Sequence, residues 1–520
     1  MTRILEPLEI ERFRAIVARG FGLHYEDGKL DYLADVLRQR MSANGSSHFD
    51  VYLERLTAAG SNEFRALAEQ LTVNETFFFR NADSFRALAE VALPERIRAR
   101  SRDRQLRILS AGCASGEEPY SLAIVVRESL PELSAWDVRI VALDISPAML
   151  VKARQARYSA WSLRATSEET RRRYFREEGR DFVLDPEIRR MVTFEERNLI
   201  DDDPLFWRSL ACDLAFCRNV LMYFTPDRAR DVVRRLSEAL LPGGFFFLGH
   251  AETLRGLSHE FHLCHSHDTF YYQRRAGSDA PIAAPAWADS PLKPSSVETL
   301  PEVVETTTSW VDAIQRASER IATLADGRAR APSFEPLPAL KAGAAGPPAQ
   351  AARSWDLGLV LEAMRQERYA AALALIGELP ADSHGDPDAL LLRAVLLTNH
   401  GKLEEAEQVC KRLLALDELH AGAHYLMALC REHAGDSKGA VEHDQAAIYL
   451  DACFAMPHLH RGIMAKRSGE LPTALRELGQ ASILLEREDA SRLLLFGGGF
   501  SREMLLSLCR AELRAAGGDG

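Results

Sequence analysis

Nowhere in this chain do about eighteen apolar residues run together, which argues against a membrane-spanning helix. The start, Met1-Thr2-Arg3-Ile4-Leu5-Glu6-Pro7, lacks an apolar signal core, so a cytoplasmic protein without direct membrane insertion is expected. Cysteine is sparse and forms no CxxC pair. The closest two, Cys212 and Cys217, fall on or beside an apolar run, so the thiols are read as reduced and structural, with no metal site. Positive charge is not in excess either: 64 Lys and Arg stand against 75 Asp and Glu, a net charge of −11. That weighs against a general nucleic-acid binder, although arginines cluster locally in the first half.

At 520 residues the chain exceeds what one hydrophobic core usually fills. Residues 1–90 read as a helical subdomain, with apolar positions at three- and four-residue spacing in Phe13–Val17 and Tyr32–Leu37. Over 91–275, β-rich runs alternate with helical stretches: Leu106–Ser110, Val138–Leu143, Val192–Glu195, Leu214–Cys217, Phe245–Gly249 and Thr269–Tyr272. The alternation predicts an α/β domain with a mainly parallel sheet whose last strand returns as a hairpin partner. Residues 276–352 turn to Ala, Pro, Ser and Thr and read as a linker, with a helix expected near Trp310–Leu324.

The last part, 353–520, carries a repeat. Gly401, Gly435 and Gly469 share a period of 34, as do Ala406, Ala440 and Ala474, and Leu416, Leu450 and Leu484. Tyr369 and Ala372 fall one period before Leu403 and Ala406, which gives about three and a half units. Each unit reads as two amphipathic helices with glycine in the turn and alanine at the close crossing, the tetratricopeptide (TPR) arrangement, an all-α solenoid suited to binding a peptide or helix.

The segment Ile108–Tyr120 holds the chemistry. A short apolar run breaks into Gly112-Cys113-Ala114-Ser115-Gly116 and restarts as a helix, so backbone at Gly112 approaches a ligand that a Cβ would exclude. Such a turn serves nucleotides, flavins and S-adenosylmethionine alike, and also occurs without a ligand. The second strand ends at Asp144, whose carboxylate suits a ribose, or a helix N-cap.

The flanking segments narrow the choice. Asn74-Glu75-Thr76-Phe77-Phe78-Phe79-Arg80 stands upstream, and Phe216-Cys217-Arg218-Asn219-Val220-Leu221-Met222-Tyr223-Phe224 downstream. With Asn198-Leu199, Gly243-Gly244 and Gly249-His250-Ala251-Glu252 in the same order, residues 1 to about 275 resemble the CheR family of chemotaxis-receptor methyltransferases.

The resemblance implies a Rossmann-like domain using S-adenosyl-L-methionine to form methyl esters on glutamates of a methyl-accepting chemoreceptor, the protein substrate and partner. The repeats would then bind a further signalling partner. Cofactor contacts implied by position are Asn74, Thr76, Arg80, a glutamate of the Glu117-Glu118 pair with Glu118 preferred, Asp144, Asn198, Leu199, Cys217 through its backbone, Arg218 and Asn219, besides Gly112 of the turn. A glutamate side chain ordinarily loses its proton near pH ~4.3 and is already anionic at neutral pH, so no general base is needed. Arg80, Arg218 and Tyr223 are therefore assigned to positioning and charge compensation of the acceptor. His250 is read as a hydrogen-bonded histidine at a strand end, and Phe77-Phe78-Phe79 as core beneath the helical subdomain.

In receptor-tethered members of the family a small β-subdomain is inserted in the catalytic domain, and here it would fall within 155–195. The basic runs Arg171-Arg172-Arg173 and Arg189-Arg190 in that stretch suit an acidic receptor helix, or equally a solvated helix face. A nucleic-acid amine methyltransferase would carry an Asn/Asp-Pro-Pro-aromatic motif after the fourth strand, where this chain has Arg218–Tyr223 and no proline. The alternative from another class is a catalytically weak scaffold of a chemosensory complex.

Overall fold

The computed structural model describes residues 5–58, 61–72, 75–130, 132–276, 357–366, 368–378 and 385–517. Asn74 lies outside them, as do the linker from 277 onward and its expected helix. The chain divides into two compact units, Met1–Ala288 and Asp289–Gly520.

In the first unit, helices Pro7–Phe21, Leu30–Ala43, Phe49–Thr57 and Asn62–Leu71 turn one apolar face each into a core of their own, with Phe13, Val17, Leu33, Leu37, Tyr52 and Leu67 fully buried. Glu63 crosslinks this bundle, accepting from Arg40, Asn44 and the Tyr52 hydroxyl. The bundle core ends at Leu71, short of the boundary expected at 90. From Phe78 onward the side chains pack with the sheet. Phe78 therefore lies in the sheet's core, not beneath the bundle: its ring meets Tyr158 and Phe175 edge-on, with centroids 4.8 and 5.0 Å away.

The strands are β1 (Gln105–Ala111), β2 (Asp137–Asp144), β3 (Arg157–Ser159), β4 (Phe175–Glu178), β5 (Asp181–Leu184), β6 (Val192–Glu196), β7 (Cys212–Cys217), β8 (Leu240–Leu248), β9 (Phe261–Ser266) and β10 (Thr269–Arg274). Seven form one sheet in the order β6-β2-β1-β7-β8-β10-β9, parallel except for β10, which runs antiparallel to both neighbours. Strand β9 is not among the expected runs, because histidines at 262 and 265 dilute the apolar pattern of this edge strand. β10 is accordingly the middle strand of that edge. The remaining strands form a three-stranded antiparallel sheet, β3-β5-β4, inside the stretch expected to hold a β-subdomain. Strand order reverses beside β1, where β2 and β7 flank it, and ligands of doubly wound sheets bind at the carboxyl edge of such a point.

The second unit is built of helix pairs. Pro387–Asn399 with Leu403–Leu416, Ala421–His433 with Ser437–Leu450, and Ala455–Arg467 with Leu471–Leu485 repeat at the expected period of about 34. Gly401, Gly435 and Gly469 each sit at positive φ in the turn, and Ala406, Ala440 and Ala474 are fully buried. Leu416 breaks the pattern, at 54% exposure against 2% for Leu450. Leu357–Arg365 and Tyr369–Gly377 precede these pairs, while Ala490–Phe496 and Arg502–Ala515 follow them, a final pair beyond the three and a half units that the period reveals.

The second and third of these pairs are joined by buried charge. His460 Nδ1 lies 2.6 Å from Asp444 and Nε2 3.1 Å from Glu432, which also accepts from Arg467 at 2.6 Å. With a carboxylate on each nitrogen the imidazole is held protonated, its pKa pushed up to about 9 against the cost of burial. Folding thus gains from this charge fully below the ordinary histidine value of about 6.5, and the gain disappears as pH rises through 9. Removing one partner of such a buried cluster costs about 3–5 kcal/mol. His460→Gln is therefore expected to lower the stability of helices Ala421–His433 and Ala455–Arg467 by that order at pH 6 and by much less at pH 10, measured by hydrogen exchange after correction for intrinsic rates.

Candidate active site

The loops at the carboxyl ends of β1, β2 and β7 enclose a cavity of about 420 Å³, walled on one side by Phe21, Leu23 and Leu71 of the helical bundle. Gly112 turns at φ +77°, and a Cβ there would come within 2.5 Å of Val220 Cγ2. Its N–H and that of Cys113 both donate to the Leu143 carbonyl, tying the β1 loop to the end of β2. Gly116, at φ +94°, starts helix Glu117–Ser129, with Ala153, Tyr158 and Phe194 where a side chain would stand.

Asp144 ends β2 and is buried. Its Oδ2 accepts from the Ala114 amide and its Oδ1 from the Ser146 amide, both at 2.8 Å. Burial raises its pKa while those amides pull it back down. Each carboxylate oxygen has a second lone pair, so the group still has acceptor capacity toward a ligand's hydroxyls.

Of the two adjacent glutamates, Glu118 lines the cavity and Glu117 does not. Glu117 is turned to the Ser115 hydroxyl, 2.7 Å away, which removes it from the expected contacts. Glu118 accepts from Ser110 Oγ at 2.8 Å and from Arg218 Nη1 at 3.3 Å. Burial pushes its carboxyl up, and Arg218 with Ser110 opposes the shift.

Arg218 differs from its expected part. Its side chain is 2% exposed, and Nη2 donates to the Arg80 carbonyl at 2.6 Å, so both terminal nitrogens are committed within the protein. It holds Glu118 and the Arg80 backbone, while Arg80 and Tyr223, the other two residues expected to face an acceptor, also line the cavity. Arg80 Nη1 donates to the Glu75 carbonyl at 2.8 Å, and its guanidinium stands 5.8 Å from the Phe77 ring centroid. Phe77 faces the cavity, with the Arg164 guanidinium over its ring at 3.6 Å, so it too departs from the core role expected of it.

Thr76, Asn198, Leu199, Arg218 and Asn219 line the cavity with Gly112 and Asp144. The Asn198 amide, however, donates to the Gly20 carbonyl at 2.9 Å, a tie to the helical bundle. Cys217 is fully buried in the sheet, where it pairs with Leu248 and does not line the cavity. His250 is at the wall, its Nδ1 3.3 Å from Asn81 Nδ2. Glu252 belongs to the Gly249–Glu252 motif, yet sequence alone assigns it no task. It is buried and accepts from four backbone amides, those of Asn219, Val220, Met222 and Gly249. Only its place in that motif hints at this.

A parallel sheet with its final strand inserted antiparallel, a glycine turn at its switch point and an acid at the end of β2 describe an S-adenosylmethionine-dependent methyltransferase. Comparison with known proteins supplies the family. Residues 74–270 match the "CheR methyltransferase, SAM binding domain", 8–72 the "CheR methyltransferase, all-alpha domain" and 363–442 a "Tetratricopeptide repeat". The chain is 35% identical over 278 residues to "Chemotaxis protein methyltransferase 2" of Vibrio cholerae, covering 53% of this chain and 96% of that protein. It is 33% identical to "Chemotaxis protein methyltransferase 1" of Pseudomonas aeruginosa, over 49% of this chain and 93% of that one. Similarity to "Probable biofilm formation methyltransferase WspC" of Pseudomonas putida extends over 90% of this chain and 96% of that one at 29% identity. The chain belongs to the CheR methyltransferase family and carries TPR repeats; its cofactor is S-adenosyl-L-methionine. Among the described residues no helix is long and apolar enough to cross a membrane.

Alanine at 112 would have to adopt a left-handed conformation, at about 1–2 kcal/mol, and displace Val220. Gly112→Ala is expected to weaken S-adenosylmethionine binding by about tenfold or more, measured by calorimetry. Unchanged affinity would show that the turn does not approach the cofactor.

Proposed function

We propose that the protein transfers methyl groups to glutamate side chains of a methyl-accepting chemoreceptor, as a protein-glutamate O-methyltransferase. The observation that carries the reading is the acceptor wall. Arg80 and Tyr223 face the cavity, while of the carboxylates that line it Glu118 and Asp144 are held by Ser110, Arg218 and backbone amides and Glu75 stands 3.8 Å from the Arg164 guanidinium. The imidazole in the lining, His250, has its Nδ1 turned to Asn81, and the reading gives no side chain here the part of a base. A glutamate acceptor needs none, being anionic at neutral pH.

When bound, S-adenosylmethionine would supply a methyl group carried on a sulfonium, whose carbon–sulfur bond would break, releasing the thioether, as an acceptor carboxylate oxygen bonds to the methyl carbon with no proton transferred. The chain's own residues would do the rest. Glu118, Asp144, Thr76 and the backbone near Asn198, Leu199 and Asn219 hold the cofactor. Arg80 orients the acceptor carboxylate by hydrogen bonding, and the Tyr223 hydroxyl adds a donor. The apolar wall of Phe21, Leu23 and Phe224 excludes water from the reacting atoms. The TPR unit would bind a signalling partner and set where the catalytic unit works, in a pathway of the kind named by the WspC relative.

The test is transfer of labelled methyl from S-adenosylmethionine to chemoreceptor-bearing membranes, followed by mild alkali. Alkali-labile label is expected, falling about 100-fold in kcat/KM for Arg80→Ala. Tyr223→Phe should reduce kcat by about tenfold with cofactor affinity preserved, as for loss of one positioning hydrogen bond. Alkali-stable label would assign amine methylation instead, and no label despite cofactor binding would favour a scaffold.

A further inference from the structure

We propose that Glu252 is a positioning residue for methyl transfer, its carboxylate holding the backbone of residues 218–224 in the shape that builds the acceptor wall. The inference rests on the assignment of Tyr223 to that wall.

After β7 the chain leaves the sheet, and its amides lose their ladder partners, so each needs another acceptor. Glu252 supplies it: Oε2 accepts from Asn219 at 2.7 Å and Gly249 at 2.8 Å, and Oε1 from Val220 at 2.8 Å and Met222 at 3.3 Å. Glu252 is 4% exposed, and among the described residues its carboxylate's hydrogen-bond partners are all backbone amides. Asn219 is held at φ +59°, a region that residues with a Cβ rarely enter. Gly249 makes room, since a Cβ there would lie 2.8 Å from Glu252 Oε2 and 2.9 Å from Asn219 Nδ2.

The segment so fixed has three duties. Arg218 reaches Glu118 and the Arg80 carbonyl. Val220 fills the space over Gly112. The Tyr223 carbonyl accepts from the His24 amide, and Phe224 forms a β-bridge with Leu23, which docks the helical bundle against the site. A neutral amide at 252 replaces one oxygen by an N–H₂ facing amide donors, leaving donors of one side without an acceptor.

The experiment uses the full chain carrying Glu252→Gln or, as an independent disturbance of the same contact, Gly249→Ala. Hydrogen exchange at amides 219, 220 and 222 is read beside the amides of β7, together with calorimetric S-adenosylmethionine affinity and the kcat of methyl transfer. Expected are loss of protection at those three amides with β7 unchanged, and a kcat loss of about 100-fold that exceeds the loss of cofactor affinity at least tenfold. Protection retained at 219, 220 and 222 in both variants overturns the proposal, as do kcat and affinity falling in parallel. The exchange readout needs no acceptor, so a wild-type protein that fails to methylate receptors would count against the glutamate reading and not against Glu252.

Discussion

Backbone amides that the sheet cannot satisfy govern this catalytic unit, because four loops leave the carboxyl edge of neighbouring parallel strands. Two buried carboxylates take them up. Asp144 bonds the amides of Ala114 and Ser146, joining the β1 and β2 loops, and Glu252 gathers those of Asn219, Val220, Met222 and Gly249, joining the β7 and β8 loops. A carboxylate pairs with several donors at charge-assisted strength, about twice that of a neutral acceptor. The cavity is the space between these two knots.

The amino end of β7 is held by the same means with the signs made explicit. Asp213 is fully buried; its Oδ1 accepts from Arg96 at 2.9 Å and Arg100 at 2.8 Å, and its Oδ2 from the Arg107 amide at 3.0 Å. That cluster binds helix Leu93–Ala99 to strands β1 and β7, so the central strand is pinned at both ends. Breaking such a pair by removing one partner costs about 3–5 kcal/mol, because the survivor stays buried and uncompensated. The second unit uses the device between repeats, where His460 links Asp444 and Glu432 across three helices.

How much of this could be read from the sequence follows from the range of each interaction. Gly112, Gly116 and Asp144 were legible because strand, turn and helix are contiguous and their apolar periods change within a few residues. The repeat was legible because glycine and alanine recur at a fixed interval. Glu252 was not, since its partners lie up to 33 positions upstream and are backbone groups without a residue signature. The same holds for Arg218: the sequence showed a guanidinium near the site but not that Glu118 and the Arg80 carbonyl had already taken it. Phe77 and Phe78 are neighbours with opposite fates, one under Arg164 at the cavity and one in the sheet core, a division set by packing against Tyr158 and Phe175.

The charges around the cavity bear on the ligand it suits as well as on its shape. Glu75, Glu118 and Asp144 line it together with Arg80, Arg197 and Arg218, and Glu252 stands just behind. Burial raises the carboxyls of Glu118 and Asp144, so their charged forms are favoured by any cation that enters. A sulfonium cofactor brings that cation, and the thioether left after methyl loss does not.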